Sequence, residues 1–162
     1  MSVTSMVKDP GRLTLTATAE YDVTAERAWQ LWDDPRLLER WWGPPAYPAT
    51  VVDHDLRAGG KVTYFMTGPT GDRPRGFWDV DEVVAPRHLV VRHGFVDDSG
   101  EPVSPALTAR IQVDIADREG GGVLVTITNS FGSIEAMEQL MAMQMEEGLR
   151  GAMGQIDDVL AA

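Results

Sequence analysis

Residues 38–45 read LERWWGPP. Trp41 and Trp42, two of the chain's five tryptophans, stand side by side and run directly into Gly43-Pro44-Pro45. A Gly-Pro-Pro step cannot continue a helix, and an indole left in water forfeits a large apolar burial. Tryptophans placed where regular structure must stop either plug the edge of a core or wall an opening. The segments that flank them decide the fold they belong to.

Upstream, Leu13, Leu15, Ala17, Ala19 and Tyr21 alternate with Thr14, Thr16, Thr18 and Glu20, the two-residue period of a half-buried strand. Residues 1–11 are polar, close on Pro10-Gly11 and read as a flexible N-terminal tail, so a single domain is expected over residues 12–162. Thr24 has the character of a helix N-cap, with Ala28, Leu31 and Trp32 at helical spacing behind it. Asp34-Pro35 ends that helix and starts a second short one over residues 36–40, which LERWWGPP closes.

Downstream, turn signals separate strands expected at residues 50–56, 61–67, 75–84, 88–96, 107–116 and 123–131. With the first, these make seven strands, mostly joined as a meander. From Ser133 the period changes, and Ile134, Met137, Met141, Met145, Ala152, Ile156 and Val159 fall on one stripe. About 28 residues at ~1.5 Å each predict a single helix near 40 Å long. The chain reads as an α+β domain whose one antiparallel sheet buries its apolar face against that last helix.

The totals agree with one domain: 162 residues, 43% of them hydrophobic. The formal net charge is -11, from 14 Lys+Arg against 25 Asp+Glu, so nucleic acid and anionic membrane surfaces are poor partners. The absence of cysteine removes disulfides and thiolate chemistry. No stretch has the apolar length of a signal peptide or a membrane span, and a cytoplasmic protein, monomeric or weakly dimeric, is expected.

The order of elements and the residues that punctuate it resemble the START-like or SRPBCC superfamily, and within it homologues of the heat-shock-protein ATPase activator. The stretches that carry the resemblance are AERAWQLW at residues 25–32, Asp34-Pro35, LERWWGPP and DLRAGGK at residues 55–61. MTGP at residues 66–69, PRHLV at residues 86–90 and Glu147-Gly148-Leu149 add to it. The resemblance implies a helix-grip fold, in which a curved seven-stranded sheet wraps a long C-terminal helix and ligands lie between the two. It implies too that members bind lipids, sterols, hormones or polyketides, that some are cyclases and that some confer self-resistance in antibiotic clusters. Leu149 and Val62 stand where the family usually carries aromatic residues, which favours a roomier interior.

Strand alternation then nominates the residues that face that interior. Val62, Tyr64 and Met66 share one face, as do Leu89, Val91, His93 and Phe95, and as do Val125, Ile127 and Asn129. The expected ligand-binding set is Trp42, Tyr64, Met66, Trp78, Val91, His93, Phe95, Asn129, Met137, Met141, Met145 and Leu149. Three of its members, Tyr64, His93 and Asn129, are polar groups in an apolar set, as in small-molecule sites; the plainer reading is that they are satisfied by one another or by water in a closed core. Methionines at helical spacing are ordinarily core, though methionine also suits a wall that accepts varied ligands. Met143 points off the stripe, and Gly148 on it leaves either close contact with the sheet or space.

His93 is the one candidate acid-base residue on this face, since His54 and His88 diverge from it. No metal-ligand spacing such as HExxH is present, and no metal or other cofactor is expected. The leading expectation is a protein that binds a small hydrophobic or aromatic molecule without transforming it. The alternatives are a natural-product cyclase with His93 as acid or base, a self-resistance protein that sequesters or is consumed by a reactive metabolite, and a co-chaperone-like protein-binding domain.

Overall fold

A hairpin, two short helices and a six-stranded meander build one sheet in the computed structural model, which describes residues 3–97, 99, 101, 103 and 107–161, with the side chains of Val3 and Thr4 excepted. Strands β1 (Val3–Asp9) and β2 (Thr14–Tyr21) form the hairpin. Helices α1 (Ala25–Asp33) and α2 (Pro35–Trp41) then carry the chain to the far edge of the sheet. Strands β3 (Ala49–His54), β4 (Lys61–Met66), β5 (Arg75–Val84), β6 (His88–Val96), β7 (Ala109–Asp117) and β8 (Val123–Phe131) return from there, and β8 closes against β2. The order is β1-β2-β8-β7-β6-β5-β4-β3, antiparallel throughout.

Two expectations are corrected. The sheet has eight strands, not seven, because the residues expected as a tail supply β1; Met1 and Ser2 lie outside the described residues. Arg12 N–H closes the hairpin turn onto the Asp9 carbonyl, Met6 packs on the core, and the Ser5 and Thr18 hydroxyls bond across the pair. Met6 packs inward while its neighbour Val7 is exposed, so a strand held by its backbone ladder shows no alternation worth reading. The second correction concerns the last helix, which is three helices: α3 (Ile134–Ala142), α4 (Met145–Met153) and α5 (Ile156–Ala161). Gln144 takes a left-handed backbone conformation, φ +67°, which ends one helical run and starts another. Gly148 and Gly151 weaken α4 beyond it, each by about 1 kcal/mol relative to alanine in a helix interior, and Gly154 caps its end.

The short helices start where capping chemistry directs. Thr24 accepts from Arg27 N–H at the head of α1, and Asp34 accepts from Arg36 N–H at the head of α2, with Pro35 in the first turn. After α2 the chain folds so tightly that a Cβ on Gly43 would sit 2.0 Å from the Tyr47 carbonyl oxygen. Gln155, at the head of α5, donates to the carbonyls of Trp41 (3.3 Å) and Gly43 (2.6 Å). Gly151 lies against Pro44 and Pro45. LERWWGPP is therefore the piece that ties the short helices to the C-terminal ones.

The core is divided. The larger cluster runs from Ala17 and Ala19 through Trp32, Trp41, Val62, Tyr64, Trp78, Val91 and Ile127 to Met153 and Val159. A smaller one gathers Leu15, Ala109, Phe131, Met137 and Leu140. Leu149 on α4 packs, half-buried, against both.

Candidate functional site

The polar members of the expected ligand-binding face, Tyr64, His93 and Asn129, lie on β4, β6 and β8. Trp41 is wholly buried, donates its indole N–H to the Leu31 carbonyl at 2.9 Å and meets Trp32 edge-on at 5.3 Å. Trp42, one residue on, keeps part of its ring accessible and sets it edge-on to Trp78 (5.0 Å), His93 (5.8 Å) and Tyr64 (6.1 Å). The two tryptophans thus divide the alternatives between them: Trp41 plugs the core and Trp42 walls the aromatic cluster.

Register brings Tyr64 and His93 together across an intervening strand. Tyr64 on β4 pairs with Gly76 on β5, Gly76 pairs with Phe95 on β6, and His93 pairs with Trp78. A Cβ on Gly76 would lie 2.4 Å from the Tyr64 ring, so only glycine lets the phenol lie over β5 and reach β6. The Tyr64 hydroxyl and His93 Nε2 are 2.5 Å apart, and the rings lie nearly parallel, 8° between planes. Phe95 closes the far side of the imidazole, edge-on at 5.2 Å.

No charge acts on this pair. Burial alone pushes the His93 pKa down to about 4, so the imidazole is neutral at physiological pH. The ring keeps a partly accessible surface, but its surroundings are otherwise protein. Burial also pushes the Tyr64 phenol up, with the neighbouring Trp42 indole pulling it partly back. The Trp42 and Trp78 indole N–H groups are buried without a protein acceptor in hydrogen-bonding geometry.

The other expected site residues divide by position. Met66 is half-buried beside the larger cluster, and Met141 and Met145 beside the smaller, with Leu149 between. Val91 and Met137 are buried core residues. Asn129 is also buried, but its amide donates to the Leu15 carbonyl at 3.4 Å, so it does not join the Tyr64–His93 pair. Gly148 has nothing within 4 Å of where its Cβ would be, which settles its expectation in favour of space. Gly76 was not among the expected site residues, although a lone glycine inside a strand signals close approach of another group.

Elsewhere among the described residues many polar groups are paired, though the buried Tyr21 hydroxyl has no hydrogen-bond partner. A surface recess lies at the start of α1, where Arg87 pairs with Asp117 and Arg118 with Asp22 and Glu20. On the outer face of the sheet His88 bridges Asp114 (2.8 Å) and Glu82 (2.9 Å), which together raise its pKa. Among the described residues no three His, Asp or Glu side chains gather as metal ligands, and no helix is long and apolar enough to cross a membrane.

A family model described as Activator of Hsp90 ATPase homolog 1-like protein matches residues 22–161. No curated protein matches the chain. Among solved structures it is similar to protein Ms6760 from Mycobacterium smegmatis, 42% identical over 98% of each chain with a TM-score of 0.88. A protein from Arthrobacter aurescens, solved in solution, is also 42% identical, over 99% of this chain and 92% of that one, with a TM-score of 0.94. DynU16, from the dynemicin biosynthetic locus, is 16% identical with a TM-score of 0.65, over 93% of this chain and 48% of that one. At that identity the likeness is one of fold.

Proposed function

The chain belongs to the Activator of Hsp90 ATPase homolog 1-like family, within the START-like superfamily, and on that footing we propose that it binds a hydrophobic or amphipathic small molecule between its sheet and its C-terminal helices. One observation carries the reading: a small satellite cluster around Leu15, Phe131 and Met137 stands apart from the main core, and Leu149 lies half-buried against both. Half-buried apolar and aromatic side chains flank the two clusters: Trp42 and Met66 beside the larger, Met141 and Met145 beside the smaller, Leu149 against both, and Phe95 against the His93 ring. Side chains of that kind gain about 25 cal/mol for each Å² withdrawn from water, so a ligand that covers them supplies its own driving force. A mainly apolar wall with a few fixed polar groups is the general form of a small-molecule site.

The geometry favours binding over chemistry. A general base needs a pKa near the working pH and a group that orients it. His93 is pushed down to about 4, its one hydrogen bond among the described residues is to Tyr64, and no carboxylate perturbs it. A role with natural products draws on the fold likeness to DynU16 alone. Nile red, neutral and fluorescent in apolar surroundings, tests the binding reading. Saturable one-to-one binding is expected, weakened in Leu149→Trp with the circular-dichroism spectrum unchanged. Absence of saturable binding, or equal binding by Leu149→Trp, would count against this site.

A further inference from the structure

Resting on the binding site just proposed, the geometry points to a ligand class: we infer that the site takes an uncharged aromatic or polycyclic ketone, its carbonyl oxygen held by the Tyr64–His93 pair and the indole N–H groups of Trp42 and Trp78. The argument is a count of hydrogens. A phenol and a neutral imidazole bring two polar hydrogens, one on oxygen and one on nitrogen. One of them lies in the bond between Tyr64 Oη and His93 Nε2. If the phenol donates, the imidazole N–H at Nδ1 remains to be given away and a phenol lone pair remains to accept. If the imidazole donates, the phenol O–H remains and Nδ1 accepts. Either way the pair offers one donor and one acceptor.

The indoles shift that balance. Trp78 carries a buried N–H with no protein acceptor among the described residues; the buried Trp42 N–H acts on the Tyr64 phenol but lies outside hydrogen-bonding geometry, and the two rings meet edge-on at 5.0 Å beside the pair. An indole only donates. The site therefore holds three donors to one acceptor, and buried donors are as a rule satisfied. A carbonyl oxygen, with two lone pairs and no hydrogen, matches an excess of donors; a hydroxyl spends one of its places on donating. Trp42 is half-buried and its ring packs edge-on against Trp78, so the carbonyl reaches the indole N–H groups when the Trp42 ring shifts.

Charge excludes the neighbouring classes. Burial is the sole influence on the His93 pKa, so no carboxylate or guanidinium stands by to neutralise a ligand's charge. A carboxylate or ammonium would lose its water with no counter-charge in return, which is among the most costly forms of burial. The net charge of -11 repels anions before they arrive.

Four naphthalenes that share one body separate these cases by displacement of Nile red at pH 7.5: 2-acetylnaphthalene, 2-ethylnaphthalene, 2-naphthoate and 2-naphthylmethylamine. The ketone is expected to bind at least about fivefold more tightly than the hydrocarbon, as two neutral hydrogen bonds allow, and both charged compounds more weakly than the hydrocarbon. Trp78→Phe and Trp42→Phe should each reduce the ketone-to-hydrocarbon ratio about two- to tenfold. The ratio is the readout because lost ring volume weakens both ligands alike, and Trp42→Phe, at a half-buried position, serves if Trp78→Phe does not fold. Equal affinity for ketone and hydrocarbon, or a ratio unchanged in the variants, overturns the ketone assignment and leaves the binding site standing. Naphthoate binding as tightly as the ketone overturns it too. Failure of Nile red and all four naphthalenes to bind removes both readings.

Discussion

Gly76 carries more of this site than its size indicates. Its missing Cβ is the space in which Tyr64 crosses β5, and an alanine there would sit 2.4 Å from the phenol carbon that bears the hydroxyl. Tyr64 must then swing away from His93 or the strands must part. Gly76→Ala is expected to lower stability by about 1–3 kcal/mol, the ordinary cost of overpacking, in a urea titration. Tyr64→Phe in the same background should recover part of that loss, because the smaller ring has no hydroxyl to place; no recovery would mean that Gly76 serves the backbone alone. His93→Gln keeps a polar group at this position but not the imidazole. It should cost about 2- to 12-fold in ligand affinity, the measure of one neutral hydrogen bond. Acid-base catalysis contributes about 100- to 10,000-fold in rate, so a collapse of turnover with binding intact would identify His93 as a catalyst.

At the scale of the element, α4 separates stability from binding. Gly148 lies inside this helix with open space where its side chain would be. Gly148→Ala should therefore stabilise the fold by roughly 0.5–1 kcal/mol, raising Tm by a few degrees for a domain of this length. An unchanged or lower Tm would show that the space beside α4 is not free in solution. Leu149 next to it packs against both clusters, so Leu149→Trp is expected to add volume where the clusters part and to weaken the proposed ligand's binding more than the fold. Strand β1 teaches the complementary lesson. Its polar residues predict a tail, yet a ladder of backbone hydrogen bonds and one inward methionine make it an edge strand.

Over the whole molecule, two histidines set opposite slopes of stability against pH. The folded state holds His93 at about 4 against an ordinary 6.5, so between those values the unfolded chain binds the extra proton and stability falls as pH falls. His88, hydrogen-bonded to Asp114 and Glu82, is raised above 6.5. Its contribution is fully present below 6.5 and is lost as pH climbs through the raised value. The carboxylates of Asp72, Asp97 and Asp117 are held below the ordinary 3.8 and act only in more acid solution. Maximum stability is therefore expected near pH 6.5, with an acid-side slope approaching about 1.4 kcal/mol per pH unit for one proton. Denaturant melts from pH 4.5 to 8.5 check it: His93→Gln should flatten the acid limb and His88→Gln the alkaline one. A profile unmoved by either substitution would place the titrating groups elsewhere.

The alternation at Leu13–Tyr21, the cap at Thr24, the Asp34-Pro35 break and the helical stripe after Ser133 are local signals, and each marks its element within a few residues. Local chemistry of that kind determined the α+β class, the place of the two short helices and the facing of Tyr64, His93 and Leu149. It left open which tryptophan is buried, because neighbours on a short helix differ only in what lies across from them. It missed β1, whose partner is a neighbouring strand's backbone, and the division of the last helix at Gln144, whose left-handed conformation no residue type there demands. Asn129 and Tyr64 carry the same inward signature; only strand order sends one to the Leu15 carbonyl and the other across Gly76 to His93. Which way a side chain faces is a property of its own strand. Which polar group it meets depends on register between strands far apart in the chain, and that is decided when the sheet assembles.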